Sequence, residues 1–280
     1  MATEINCKAI ADAWLKETAK RVERFKFRYG RAPKLVTIIA NDDAASERYV
    51  RNKMRDCERV GIEHDEKYYQ HPTQTELEMA LQMRSFSSYV DGVMLQLPVF
   101  DYLDEKQLIE NIDPVKDVDC LTAQNMGKLA LGDNSFMPAT VAGIMRLFKE
   151  EHYDLTGKTV VIRGRSNIVG KPLALAMINA GATVVSKNSH SSDYSVVENY
   201  PYNIIVDATG KPQTGYVQIS DYYIDVTTIV DDDGKLRGSM TNYDKLWNGT
   251  KYTPVPRGVG LLTRAGLCSN IMDLAEKRAE

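Results

Sequence analysis

Apolar residues recur at two spacings along the chain, and the alternation between these spacings predicts an α/β protein. Helical spacing occurs in residues 5–29 and again at about 46–60 and 75–87. Short apolar runs at 35–40 and 90–97 predict buried strands. Because strands that alternate with helices favour parallel pairing, we predict a parallel sheet in this half of the chain.

The second half of the chain repeats this alternation. Helices are predicted at about 141–151 and 265–278, and four short strands are predicted between them, at 159–163, 183–186, 204–207 and 223–226. The strand spacing is typical of a small doubly wound domain. Between the halves, residues 114–138 lack periodicity and contain two prolines and two glycines, so a long ordered loop is predicted there.

These elements divide the 280 residues into two predicted domains. The first comprises residues 1–138 and is completed by a C-terminal helix at 262–280. The second comprises residues 139–261. The expected fold class is therefore two α/β domains with a cleft between them, the second a Rossmann-like doubly wound parallel sheet.

Composition and charge exclude several kinds of partner. The formal net charge is -3, and the absence of a dense Lys/Arg cluster gives no reason to expect a nucleic acid. The start of the chain is too polar for a signal peptide, and no apolar run approaches a membrane span, so we expect a cytoplasmic protein without a membrane partner. The four cysteines and four histidines are scattered, which predicts neither a disulfide framework nor a metal site.

A glycine-containing loop follows the strand predicted at 159–163. It reads G-R-S-N-I-V-G from Gly164 to Gly170 and leads into a helix at 173–180. In this context glycine lets the backbone approach a phosphate, and the helix N-terminus offers free N–H groups. The pattern is G-x-S-x-x-x-G rather than G-x-G-x-x-G, so a tight structural turn is the alternative.

Charge at the end of the next strand bears on the choice of cofactor. NAD sites often place an acid there, on the ribose. Here the strand at 183–186 is followed by Lys187 and Asn188, and Arg165 lies in the glycine loop. This local charge suits a 2′-phosphate, so we predict NADP, with NAD as the alternative.

The helix predicted at 46–60 carries a lysine on its inward face. Tyr49 and Lys53 lie one turn apart on a face otherwise made of Val50, Met54, Cys57 and Val60. A lysine that points inward loses hydration, which favours the neutral amine and makes it a candidate for proton transfer. The alternative is a lysine at the edge of the face that extends its ammonium group into water.

Polar residues in two other segments are candidates for the same site. Gln96 stands within an apolar strand run, where a buried amide needs partners, either structural ones or those of a site. Asp117 and Asp119 alternate in the loop segment K-D-V-D, which would place both carboxylates on one side of an extended chain. Turn or capping chemistry is the alternative for these two residues.

In this order and spacing, the motifs resemble the methylenetetrahydrofolate dehydrogenase/cyclohydrolase family over essentially the whole chain. The resemblance is carried by Y-x-x-x-K at Tyr49–Lys53, Q-L-P at Gln96–Pro98, K-D-V-D ending at Asp119, and G-R-S-x-I-V-G-x-P. The stretches H-S-S, V-D-A-T-G-K-P and T-P-V-P-R-G-V-G-L-L-T also match. The resemblance implies oxidation of 5,10-methylenetetrahydrofolate with NADP, hydrolysis of the methenyl product to 10-formyltetrahydrofolate, and a homodimer.

The resemblance also implies residue roles. Lys53 would transfer the proton and Gln96 would hydrogen-bond it, while Tyr49 would stack near the aminobenzoyl ring. Asp119 would bind the pterin. The remaining substrate contacts would be Leu97, Pro98, Gly258 and Val259. The cofactor contacts would be Gly164, Arg165, Ser166, Ile168, Gly170, His190 and Ser191.

Departures from the family pattern gather on the cofactor side. Arg257 stands where the family has a glycine in P-G-G-V-G, and Cys120 replaces the glycine after K-D-V-D. A glycine at such positions can use backbone angles that are costly for other residues. Thr227 and Ser239 also depart from the family motifs. The folate-side residues are all present, which favours the cyclohydrolase activity over the dehydrogenase activity.

Three other functions compete with the bifunctional one. The departures leave open a single-activity cyclohydrolase or a non-catalytic folate- or nucleotide-binding descendant. Another two-domain dehydrogenase, such as one acting on shikimate or an amino acid, would share the plan of the chain. The pair Tyr49 and Lys53, with Gln96 ahead of Leu97 and Pro98, argues against that last reading.

Overall fold

The computed structural model describes residues 1–191, 202–213, 219–231, 233–240 and 242–279, which fall into two compact units. The first, here the lysine unit, comprises Asp12–Gly127 and Arg264–Glu280. The second, here the glycine-loop unit, comprises Met1–Ala11 and Lys128–Thr263. Residues 1–11 and 128–138 thus cluster with the second unit, whereas the sequence prediction had assigned them to the first.

The helices and strands of the described residues have the following bounds. The α-helices are α1 (Cys7–Tyr29), α2 (Ala44–Val60), α3 (Gln74–Phe86), α4 (Glu105–Glu110), α5 (Ala123–Ala130), α6 (Ala139–Glu150), α7 (Gly170–Asn179) and α8 (Val259–Ala279). The strands are β1 (Thr3–Glu4), β2 (Lys34–Ile39), β3 (Glu63–Tyr68), β4 (Gly92–Gln96), β5 (Thr159–Arg163), β6 (Thr183–Lys187), β7 (Tyr202–Asp207), β8 (Ser220–Asp225), β9 (Ile229–Val230), β10 (Leu236–Arg237) and β11 (Lys251–Tyr252).

A three-stranded parallel sheet organises the lysine unit. Its order is β3-β2-β4, with β2 in the centre. The central strand is buried along almost its whole length, with Leu35 and Ile38 among its core side chains, and Leu95 of β4 is buried beside it. The chain leaves β2 toward one neighbour and later returns to the other, so the direction of the strand order reverses between β2 and β4. In open α/β sheets such a switch point is where ligands bind.

A six-stranded parallel sheet organises the glycine-loop unit. Its order is β1-β11-β8-β7-β5-β6, and every pairing in it is parallel. Val161, Ile205 and Tyr223 pack in its core. The order reverses between β5 and β7, which places the switch point of this sheet directly after Gly164. The two-residue strand β1 explains why the first residues of the chain belong to this unit.

Most of the predicted elements are confirmed, and the exceptions have physical reasons. The strand at 159–163 has the predicted bounds, and the predicted helices correspond to α1, α2, α3, α6, α7 and α8, with α7 beginning three residues before its predicted start. The prediction of a loop over 114–138 was wrong in part, because it contains the two-turn helix α5, whose eight residues are too few to show a period. The edge strand β3 was missed because its sequence, E-H-D-E-K-Y, is polar.

No helix in the part of the chain that the structure describes is long and apolar enough to cross a lipid bilayer.

Candidate functional site

The lysine predicted to transfer a proton lies at the switch point of the lysine unit. Helix α2 follows β2, and Asp43 helps to start it by accepting a hydrogen bond from the Ser46 N–H at 3.2 Å. Val50, Met54 and Cys57 are buried, so the apolar face of the helix packs inward as the spacing predicted. Lys53 is partly buried on this face, while the ring of Tyr49, one turn earlier, is 41% exposed.

Gln96 connects Lys53 to the end of β4. The Lys53 Nζ donates a hydrogen bond to Gln96 Oε1 at 3.1 Å, and it lies 3.4 Å from Met94 Sδ. The Gln96 Nε2 donates to the Leu97 carbonyl at 2.7 Å, which fixes the orientation of the amide. Both halves of the buried amide are therefore satisfied, and its oxygen faces the lysine. Pro98, which follows, is exposed.

The two carboxylates of K-D-V-D have different roles. Asp117 accepts hydrogen bonds from the Thr122 N–H at 2.9 Å, the Thr122 hydroxyl at 2.8 Å and the Asn125 amide at 3.1 Å. These bonds hold the start of α5, which is the capping chemistry that the sequence left open. Asp117 is therefore engaged by its own segment.

Asp119 is the carboxyl group of this segment that interacts with the lysine. Burial raises the pKa of Asp119, the positive charge of Lys53 opposes that rise, and the charge of Asp117 adds to it. Lys53 therefore hydrogen-bonds Gln96 and interacts electrostatically with Asp119.

The sequence did not predict the role of Arg264, which contacts α2 on either side of Lys53 in the sequence. The Arg264 Nε lies 3.1 Å from Asp56 Oδ2, and its Nη1 donates to the Asn52 carbonyl at 3.4 Å. Asp56 and Asn52 flank Lys53 on α2, so this arginine of α8 helps to fix the turn that carries the lysine. No local pattern announces such a contact, because more than two hundred residues separate its partners.

Two family glycines are replaced here by residues that retain a glycine-like backbone. Arg257 has φ of 77° and Cys120 has φ of 55°. Both values lie in the left-handed region, which costs a residue with a side chain about 1–2 kcal/mol. Arg257 is exposed, whereas Cys120 is fully buried.

Gly258 and Val259, predicted to contact the substrate, are buried at the start of α8. A Cβ on Gly258 would lie 2.1 Å from the Pro254 carbonyl oxygen, so only glycine fits this turn.

The glycine loop occupies the switch point of the glycine-loop unit. A Cβ on Gly164, whose φ is 111°, would lie 2.4 Å from the Ala208 carbonyl oxygen. A Cβ on Gly170 would lie 2.1 Å from the Gly164 carbonyl oxygen. Ser166 Oγ accepts a hydrogen bond from the Val169 N–H at 3.2 Å, just before α7 begins. Compact backbone at a helix N-terminus fits a nucleotide phosphate.

The rest of the loop presents side chains to solvent. Arg165, Ser166 and Ile168 are exposed. The Arg165 guanidinium donates to the Ser186 hydroxyl at 3.2 Å and to the Ser186 carbonyl at 2.5 Å, so it lies beside the end of β6. The next residue there is Lys187, where an NAD site would often have an acid. The residues present therefore fit a 2′-phosphate.

His190 and Ser191 form a turn after β6. The Ser191 hydroxyl accepts from the Asn188 N–H at 3.0 Å, and the His190 N–H donates to Asn188 Oδ1 at 3.2 Å. The His190 ring is exposed. The second serine of the H-S-S stretch, Ser192, lies outside the described residues.

Comparisons with known proteins cover both units. The model of the family described as "Tetrahydrofolate dehydrogenase/cyclohydrolase, catalytic domain" matches residues 5–119. The model described as "Tetrahydrofolate dehydrogenase/cyclohydrolase, NAD(P)-binding domain" matches residues 138–279. A curated relative, the bifunctional protein FolD of Dechloromonas aromatica, is 39% identical over 280 residues, covering 98% of this chain and 98% of the relative.

Solved structures show the same similarity. The bifunctional FolD enzyme of Campylobacter jejuni has a TM-score of 0.92 and 32% identity, with 99% of this chain and 100% of that chain covered. The FolD of Trypanosoma brucei, solved with NADP and an inhibitor, has a TM-score of 0.91 and 28% identity, with 100% and 99% covered. The chain therefore belongs to the tetrahydrofolate dehydrogenase/cyclohydrolase family and is a bifunctional enzyme with both of that family's activities.

Proposed function

We propose that Lys53 carries the proton in the cyclohydrolase reaction, the hydrolysis of 5,10-methenyltetrahydrofolate to 10-formyltetrahydrofolate. The observation that supports this role is the 3.1 Å hydrogen bond from its Nζ to Gln96 Oε1 at a sheet switch point. In the same reading, Tyr49 stacks on the aminobenzoyl ring, Asp119 binds the pterin, and Leu97 and Pro98 complete the contacts of this unit with the substrate.

Hydrolysis needs a group that accepts a proton and later returns one. Water adds to the methenyl carbon, which is cationic, and a neutral amine can take the proton that the attacking water loses. The resulting ammonium group can then protonate the ring nitrogen whose bond to that carbon breaks. The new C–OH loses its proton to solvent water as the formyl group forms, which is the one proton released overall. Gln96 would orient the amine by accepting its hydrogen bond.

The dehydrogenase reaction depends on positioning more than on proton transfer. Bound NADP would accept the hydride from the methylene carbon. The chain would supply the compact backbone of Gly164 and Gly170, with the helix N-terminus of α7 for the phosphates. Arg165, Ser166, Ile168, His190 and Ser191 would complete the cofactor site.

The role of Lys53 is tested by comparing Lys53→Met with Lys67→Met, a matched change at a solvent-exposed lysine of β3. We expect Lys53→Met to lower cyclohydrolase turnover by about 10³-fold or more while part of the dehydrogenase activity remains. Lys67→Met should leave both activities near wild type, because its exposed ion pair with Asp65 contributes little. Wild-type hydrolysis by Lys53→Met would refute the assignment.

The preference for NADP is tested separately, by comparing the Michaelis constants for NADP and NAD in methylenetetrahydrofolate oxidation. Arg165 beside Ser186, together with Lys187, should favour the 2′-phosphate. Arg165→Gln should then raise the Michaelis constant for NADP far more than that for NAD. A wild-type preference for NAD would contradict the proposal.

We also propose that the chain is a cytoplasmic homodimer, as its family resemblance implies. All four cysteines are buried thiols that form no disulfide, which suits a reducing compartment. Light scattering coupled to size-exclusion chromatography would measure the mass, and a monomer at micromolar concentration would contradict the dimer.

A further inference from the structure

A row of charged residues ends four neighbouring strands of the glycine-loop unit. Lys187, Arg163, Asp207 and Asp225 stand in register across β6, β5, β7 and β8. Registered residues of parallel neighbours point to the same face of a sheet. The row therefore places two positive and then two negative groups side by side at the switch point.

Arg163 and Asp207 form the central pair of this row. The Arg163 Nη1 lies 3.7 Å from Asp207 Oδ2, and Asp207 is fully buried. Burying a charge is costly unless it is paired and hydrogen-bonded, so each partner needs the other. Both residues directly adjoin the phosphate-facing backbone, since Arg163 precedes Gly164 and Asp207 precedes Ala208.

The carboxylate of Asp207 also holds the exposed segment that follows it. Asp207 Oδ1 accepts from the Thr209 hydroxyl at 2.7 Å, the Thr209 N–H at 3.2 Å and the Thr227 hydroxyl at 3.2 Å. The Thr227 Oγ1 in turn accepts from the Gly210 N–H at 3.2 Å. Asp207 Oδ1 is thus the common acceptor that holds residues 208–211, directly through Thr209 and indirectly through Thr227.

This segment borders the glycine loop. The Ala208 carbonyl oxygen is the atom that a Cβ on Gly164 would meet at 2.4 Å, and the Ala208 N–H donates to the Arg163 carbonyl at 2.8 Å. A shift of residues 208–211 by even 1 Å would therefore change the surface beside the loop.

The geometry points to Asp207 as a positioning residue for the nucleotide: its buried carboxylate, paired with Arg163, holds residues 208–211 as the second side of the cofactor crevice. This inference rests on the proposed role of the glycine loop as the NADP site. It predicts that the acceptor oxygen at position 207, more than the charge, sets the affinity for NADP.

The experiment compares two neutral double variants, Arg163→Leu/Asp207→Asn and Arg163→Leu/Asp207→Ala, by isothermal titration calorimetry with NADP. Both lose the ion pair, but only the first retains an oxygen that can accept from Thr209 and Thr227. We expect the Asn variant to bind within about threefold of wild type and the Ala variant to bind about tenfold more weakly. Equal affinity of the two double variants would overturn the inference, whether both match wild type or both fall.

Two further measurements keep the inference falsifiable. Thermal unfolding of the same samples, followed by circular dichroism, reports whether the glycine-loop unit that contains Asp207 has folded. Thr209→Val, which removes one donor to Asp207 without disturbing a buried charge, should also weaken NADP binding several-fold, and unchanged affinity would count against the inference. If the wild-type protein does not bind NADP, the proposed cofactor site is wrong. That result is distinct from the test of Asp207, which compares the NADP affinities of the variants.

Discussion

Both units have a sheet switch point, but the side chains at the two switch points differ in burial and in proposed role. In the lysine unit the groups proposed for proton transfer point inward: Lys53 is partly buried and hydrogen-bonded to a buried Gln96. In the glycine-loop unit the residues predicted to meet the ligand, such as Arg165, are exposed, and the buried charges of Asp207 and Asp225 lie beneath them. The proposed proton transfer needs groups held in place beside the substrate, whereas binding a phosphate needs accessible backbone on a rigid support.

After the loss of Lys53 itself, removing the amide that faces the lysine should produce the largest effect. Gln96→Leu keeps the volume but leaves the Lys53 Nζ without its 3.1 Å acceptor. We expect cyclohydrolase turnover to fall on the order of 10²-fold, with NADP affinity unchanged. Gln82→Leu, at an exposed glutamine of the same unit, is the control. If Gln96→Leu also lost NADP binding, the claim that the two switch points have separate roles would be contradicted.

Crowding the glycine loop should weaken NADP binding by the glycine-loop unit and leave the lysine unit unaffected. Gly164→Ala would place a Cβ 2.4 Å from the Ala208 carbonyl oxygen, so the loop must move. We expect the dissociation constant for NADP to rise by about tenfold or more, with hydrolysis preserved. Gly132→Ala is a matched control, because its φ of 101° is close to that of Gly164 but no atom lies within 4 Å of its Cβ. Similar losses in both variants would show that backbone strain, not crowding, is responsible.

The buried charge of the glycine-loop unit should appear in the pH dependence of stability. Burial raises the pKa of Asp225 to about 6, hydrogen bonds from Ser239 and Met240 oppose that rise, and Asp207 adds to it. Because the folded pKa exceeds the unfolded one, the ionised carboxylate destabilises the folded state above pH 6, and this penalty is relieved as the pH falls from about 6 to 4.

Asp225→Asn removes that titration. Its free energy of unfolding, relative to wild type, should increase with pH between 4 and 7 by on the order of 2 kcal/mol, as measured by denaturant unfolding at several pH values. A difference that does not vary with pH would show that this carboxylate does not titrate differently on folding.

Restoring a glycine should have the smallest effect and should differ between the units. Arg257→Gly relieves a left-handed backbone at an exposed position, so we expect about 1 kcal/mol of added stability. Cys120→Gly relieves a similar angle but empties a fully buried position, so its net effect should be near zero or destabilising. Thermal unfolding of the two variants measures both, and equal gains would refute the contrast.

The sequence revealed the parts of the molecule whose signals are local. The spacing on α2 predicted an inward Lys53, and the glycine turn predicted the helix α7 that follows it. Both predictions were possible because helical period and turn preference depend on residues close together in the sequence. The strand β3 was not predicted, because an edge strand need not be apolar. The helix α5 was not predicted, because two turns are too short to show a helical period. The pairs Arg163–Asp207 and Arg264–Asp56 could not be foreseen, since strand register and helix packing bring their partners together from distant positions.

The short strand β1 has a practical consequence for handling the protein. Thr3 and Glu4 pair with Lys251 and Tyr252, so the first few residues close one edge of the six-stranded sheet. Trimming them would expose the backbone of a two-residue strand and loosen the side of the molecule that is expected to hold the nucleotide. A purification tag is therefore better attached after α8, whose last turn includes the exposed side chain of Lys277.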